Sequence, residues 1–170
     1  MLDEFIDELT ESIKDVAKGR SYATVVSPVT VHNLAETETI WRFDWNREIE
    51  TAEVYKLTAP KLGRLIHGLI SIRPEEGFVW INVIESHPEN VGHRNKYDGI
   101  APNLVAYACL RSFELGHDGY VSFDAKSELI EHYKQTLGAI QVGRTRRMHL
   151  DQTAALWLVK QYFGDQHGNH

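Results

Sequence analysis

A single cysteine, Cys109, excludes any disulfide within the chain and suits a reducing compartment. No Pro- or Gly-rich linker and no internal repeat divides the sequence, which excludes solenoids and low-complexity scaffolds. Apolar runs are short: none approaches the roughly 18 residues that a membrane span needs. The opening MLDEFIDELTESIKDVAKG lacks the basic start and apolar centre of a signal peptide. Positive charge is in the minority, with 18 Lys and Arg against 24 Asp and Glu and a formal charge of −6. A general attraction to nucleic acid or anionic membrane is therefore not expected. These absences predict a cytoplasmic protein with no nucleic-acid or membrane partner, its oligomeric state open and a dimer included.

What remains is an ordinary globular composition, 42% hydrophobic and 25% charged over 170 residues. It predicts one domain over 1–164 and a fraying tail over 165–170. Leu2, Phe5, Ile6, Leu9, Ile13 and Val16 recur at helical spacing and predict a first amphipathic helix ended by Gly19. YATVVSPVTV is β-branched and strand-like, with Pro28 marking an edge or a break. WRFDW puts Trp41, Phe43 and Trp45 on one side if extended, either as a packing anchor or as the wall of a small-molecule pocket. AEVYKLTA predicts a strand. Two apolar runs around RPEEG then predict an antiparallel hairpin whose second arm ends at Glu85, Ser86 and His87.

Residues 102–115 are apolar on nearly every side and predict a helix buried between layers. GYVSFDA follows as a strand, and SELIEHYKQTLG as a helix with Ser127 as its N-cap and Gly138 as its stop. AIQVGRTRRMHL predicts two short strands around Gly143. Asp151 caps a last helix. Mixed strands, with an antiparallel first half and a crossover helix in the second, indicate an α+β sandwich.

The stretch RNKYDGIAP carries the first chemical signal. A glycine turn entering a helix presents unpaired N–H groups, and the helix dipole adds partial positive charge, a setting that receives phosphate. Gly99 admits close approach of an oxygen, Pro102 suits the first helical position, and His93, Arg94 and Lys96 supply charge. An ordinary loop with solvated charges is the alternative. Tyr133 is the second signal, falling on one face with Leu129, Ile130 and Leu137. By pattern alone, a core tyrosine with a satisfied hydroxyl is the simpler account of that position. Glu85 closes a strand either as a solvated carboxylate or, if buried, as a general base, with His87 a competitor for that role. Arg144, Arg146 and Arg147 read as a solvated rim, Cys109 as a structural thiol, and the spacing of His167 and His170 does not make a metal site.

Lys96-Tyr97-Asp98-Gly99-Ile100-Ala101 resembles the (Gln/Arg)-x-x-Gly-x-(Gly/Ala) pyrophosphate motif of the GCN5-related N-acetyltransferase (GNAT) superfamily. It stands where that family puts it, after an apolar strand and opening the long helix. Lys96 replaces the usual Gln or Arg, with Arg94 two residues earlier, and the loop from His87 to Lys96 is longer than typical. The resemblance covers roughly 54–150, leaving the first and last helices as extensions or variants.

That resemblance implies a mostly antiparallel, mixed sheet with flanking helices and two central parallel strands, 78–85 and 119–125, that splay apart. It implies acetyl-coenzyme A as co-substrate and no metal. The pantetheine arm would pair with Val83, Ile84 and Glu85. The pyrophosphate would rest on backbone from about Arg94 to Ala101, with Arg94, Asn95, Lys96, Gly99, Ile100 and Ala101 as contacts. Tyr133 would protonate the leaving thiolate, with Glu85 as base. Trp41, Phe43 and Trp45 would face an amine-bearing acceptor of unidentified nature. The implied activity is N-acetyl transfer by direct attack in a ternary complex. A catalytically silent coenzyme-A-binding module is the main rival, and a structural domain that makes contacts through 41–45 is another.

Overall fold

The computed structural model describes residues 1–2, 13–31, 40–90 and 96–164. Its main sheet has seven strands in the order β3-β4-β5-β6-β8-β10-β9. These are β3 Val25–Pro28, β4 Glu53–Thr58, β5 Ile66–Pro74, β6 Val79–Ser86, β8 Val121–Asp124, β9 Ile140–Gln141 and β10 Arg147–Leu150. Every neighbouring pair is antiparallel except β6 and β8. β3 lies at the sheet edge, where Pro28 removes no interior ladder bond. A second, three-stranded sheet joins β2 Ser21–Tyr22, β1 Ile13–Asp15 and β7 Tyr97–Asp98 in the order β2-β1-β7.

Side chains alternate across β5 and divide the interior in two. Ile70 and Ile72 face the larger cluster, while Ile66 and Leu69 join Trp41, Trp45, Val54 and Val83 on the other side. The larger side is covered by α2 Ile100–Glu114 and α4 Gln152–Phe163, which pack on each other. α2 is buried over most of its circumference, as its all-round apolar sequence requires. Its far end is tied to the sheet by Arg111, whose Nε stands 3.0 Å from Glu53 Oε1. The other side carries α1 Trp45–Thr51, N-capped by Asp44, whose carboxylate accepts from the Arg47 N–H at 3.1 Å. α3 Ile130–Leu137 ends at Gly138 in the left-handed conformation, φ 69°.

Four expectations are corrected. The helical stripe ending at Ile13 and Val16 does not continue there: Ile13–Asp15 is a strand, paired with β2 and β7, and 3–12 lie outside the described residues. Tertiary pairing overrides the helical periodicity. Trp41, Phe43 and Trp45 are not extended, because the Asp44 cap starts a helix inside the motif. Pro102 stands third in α2 rather than first, with Gly99 at the cap. It is still harmless, since first-turn N–H groups have no intrahelical partner. Ser127 is no N-cap, because a 3₁₀ turn over Ser127–Leu129 precedes α3.

Candidate functional site

The parallel pairing of β6 with β8 covers Val79↔Val121 and Trp80↔Ser122. Beyond that point β6 runs on to Ser86 without pairing to β8, and the two strands part. The cause is visible on the β5 side of β6. Ser71 pairs with Val83 but Ile72 with Ile81, so Asn82 is an extra, bulged residue. A bulge bends its strand and raises its twist, which turns β6 away from β8. The Asn82 side chain is held by α1 through Glu48, at 2.8 and 3.0 Å to the two carboxylate oxygens. Val83, Ile84 and Glu85 follow the bulge on the open arm.

The far end of that arm leads to the start of α2. Gly99, with φ 99° and ψ 3°, makes the left-handed turn that opens the helix, so the glycine is required there by backbone geometry. Asn90 shapes the approach, a role that no motif or periodicity in the sequence marks. Its Oδ1 accepts from the N–H groups of Lys96 and Tyr97 at 2.9 and 2.7 Å, and its Nδ2 donates to the Tyr97 carbonyl at 2.9 Å. The Lys96 carbonyl in turn accepts from the Val16 N–H at 2.9 Å. The expected amide cradle from Arg94 to Ala101 is thus narrowed, because the amides of Lys96 and Tyr97 are already engaged. Ile100 and Ala101 remain as first-turn donors. His93, Arg94 and Asn95 lie outside the described residues. The Lys96 ammonium is exposed, 5.6 Å from the Tyr97 ring centre.

Glu85 is 5% exposed and accepts three hydrogen bonds from the segment that leads into α1. They come from the Arg42 N–H at 2.7 Å, the Phe43 N–H at 3.1 Å and the Trp45 indole at 2.8 Å. A carboxylate offers about four acceptor sites, so most of this one is committed to holding 42–45. Trp41 and Trp45 are buried against Val83 and Leu69, as packing anchors are. Phe43 is half-buried, with the Arg42 guanidinium 4.7 Å from its ring centre. His87 lies edge-on to Trp41 at 5.8 Å, and its Nδ1 accepts from the Glu89 N–H at 3.1 Å. In the neutral ring that bond leaves the proton on Nε2.

Tyr133 is fully buried, edge-on to Phe123 of β8 at 5.6 Å. The inward position expected from its helical face is the one observed. Cys109 is sealed in α2, where burial pushes its thiol pKa up, away from nucleophile chemistry. Arg147 ion-pairs with Asp124 at 2.6 Å and covers the Trp80 ring. Among the described residues no His, Cys, Asp and Glu cluster could hold a metal, and no helix is long and apolar enough to cross a membrane.

His67 sits beneath this region, buried beside Tyr97 at 5.1 Å, with its Nε2 unpartnered among the described residues. Burial first, then the charges of His87 and Lys96, lower its pKa from 6.5 to about 4. The unfolded chain therefore takes up a proton that the native state refuses. Stability should be full above pH 6.5 and fall towards pH 4, by up to about 1.4 kcal/mol per pH unit. Urea denaturation of His67→Phe should lack this arm between pH 6.5 and 4. An unchanged pH profile would assign the acid sensitivity elsewhere.

A mixed sheet whose central parallel pair parts beside a helix start defines a GNAT-like α+β fold. Solved structures share it. The AtaT toxin, in a Tyr-to-Phe mutant bound to the C-terminus of the antitoxin AtaR, superimposes with TM-score 0.51 at 13% identity, over 81% of this chain and 99% of that one. AtaTR bound with acetyl-coenzyme A gives 0.50 at 13%, over 80% and 98%. At these identities the likeness is one of fold. No protein-family model and no curated protein matches the sequence.

Proposed function

We propose that this chain is an N-acyltransferase that moves an acetyl group from acetyl-coenzyme A to a primary amine by direct attack in a ternary complex. The observation that carries the reading is the parting of β6 and β8 beside the N-terminus of α2. A parted parallel pair offers strand-edge hydrogen bonds to an amide-bearing arm, and a helix start receives phosphate. Val83, Ile84 and Glu85 would pair with the pantetheine. The amides of Ile100 and Ala101 would receive the pyrophosphate, with Gly99 giving access and Arg94, Asn95 and Lys96 adding donors or charge. An amide on the β6 arm would polarise the thioester carbonyl. Tyr133 would return a proton to the departing thiolate, and the space beside Trp41, Phe43 and Trp45 would take the amine. The fold neighbour bound with acetyl-coenzyme A supports the donor.

Acetyl-coenzyme A should raise the melting temperature, because a ligand bound only by the native state stabilises it by mass action. Calorimetric titration at millimolar ligand with no heat and no thermal shift would refute the donor site. One observation favours a second reading, a coenzyme-A-binding module without turnover: the carboxylate of Glu85 is largely committed to residues 42–45. Thiol release across a panel of amines separates the two, since a silent module binds the donor and releases none.

A further inference from the structure

The cleft between β6 and β8 already has an occupant from the same chain. Leu2 pairs in parallel with Ala125, just past β8. Its N–H donates to the Asp124 carbonyl at 2.6 Å, and its carbonyl accepts from the Lys126 N–H at 2.8 Å. Met1 reaches the other arm, its nitrogen donating to the carbonyl of the bulged Asn82 at 3.1 Å. Its sulfur takes a contact from Arg146 Nη1 at 3.3 Å. The Leu2 side chain is 2% exposed and belongs to the same buried cluster as Ile84, Phe123 and Tyr133. Met1 and Leu2 together thus bridge both arms where the sheet opens.

We infer that Met1–Leu2 is an internal competitor of the acyl donor, a built-in strand that must leave the cleft before the pantetheine arm can seat. This rests on the donor-site reading above. Three features support competition rather than passive packing. The pairing is strand addition, the same type of bond that an amide-bearing arm would make. The Asn82 carbonyl that holds Met1 lies at the bulge, immediately before Val83 on the arm proposed for the donor. The leucine is also sealed in the same apolar cluster as Tyr133, which is fully buried while Leu2 is in place. A donor that binds only the vacated form has its apparent affinity reduced by the vacated fraction.

Burial of one leucine side chain is enough to make that reduction roughly tenfold to a hundredfold. Titration of coenzyme A into the full chain, its Leu2→Asp variant and its Leu2→Met variant tests this. Leu2→Asp should tighten binding by at least about tenfold, and Leu2→Met, which keeps the burial, should bind as the parent does. Leu2→Ala serves the same purpose if the aspartate prevents folding. Amide hydrogen exchange supplies a readout that needs no turnover. The Lys126 and Leu2 amides should be protected in the free protein, and Leu2 should lose protection on addition of coenzyme A. Equal affinity in all variants, with Leu2 still protected in the complex, would overturn the competition alone. Absence of binding by every form would overturn the donor reading and the inference with it.

Discussion

Tyr133→Phe should lower kcat by roughly 10²- to 10⁴-fold, the usual contribution of a positioned general acid, with little change in coenzyme A affinity. The ring is fully buried against Phe123, so phenylalanine keeps the shape and packing while removing the proton. A core tyrosine gives a different signature: about 1 kcal/mol of stability lost with a hydrogen bond, and turnover nearly intact. Measurement of kcat, coenzyme A affinity and urea stability on one preparation therefore separates the two roles. The acceptor has to come first, from an amine panel with free-thiol detection, or slow hydrolysis of acetyl-coenzyme A can substitute. A folded Phe variant with parental turnover would leave the acyltransferase reading standing without Tyr133.

Gly99→Val carries the second large effect. At φ 99° a β-branched side chain is strained, at a cost of about 1–3 kcal/mol, and the new side chain stands where a phosphate oxygen would approach the α2 amides. Gly138 provides the control, because it is left-handed as well, at φ 69° and ψ 24°, and a Cβ there makes only an ordinary contact with Ala154 at 3.6 Å. Both valine variants should lose comparable stability. Only the Gly99 variant should also lose coenzyme A affinity, by at least about tenfold, or 1.4 kcal/mol. Equal affinities in the two folded variants would place the phosphate elsewhere.

Much of this architecture could be read from local pattern. The Ile66–Ser86 hairpin, the all-round apolar α2, the Asp151 cap and the Gly138 stop each follow from neighbours in sequence. The parting of the parallel strands followed from the resemblance, and the Asn82 bulge beneath it carries no local signature. Failures came where distant chain decides. Ile13 keeps a helical spacing yet is recruited as a strand by β7, far along the chain. Trp41, Phe43 and Trp45 looked alternating until Asp44 proved to be a cap. Glu85 reads locally as a strand-end general base, but the segment that engages its carboxylate precedes β4. Asn90 lies in a polar stretch where no periodicity marks an organiser of the next loop.

The small sheet β2-β1-β7 and the pairing at Leu2 set a timetable for the nascent chain. Met1 bonds a carbonyl 81 positions away, β1 waits for Tyr97 and Asp98, and Leu2 waits for Asp124 and Lys126. Contacts of such long range close late, because their loop entropy is lost before they return any stabilisation. Residues 1–2 and 13–15 are thus among the last to find a place, although they are made before the strands that hold them. Until Lys126 has emerged, Leu2 has no cleft to fill and its side chain stays in water.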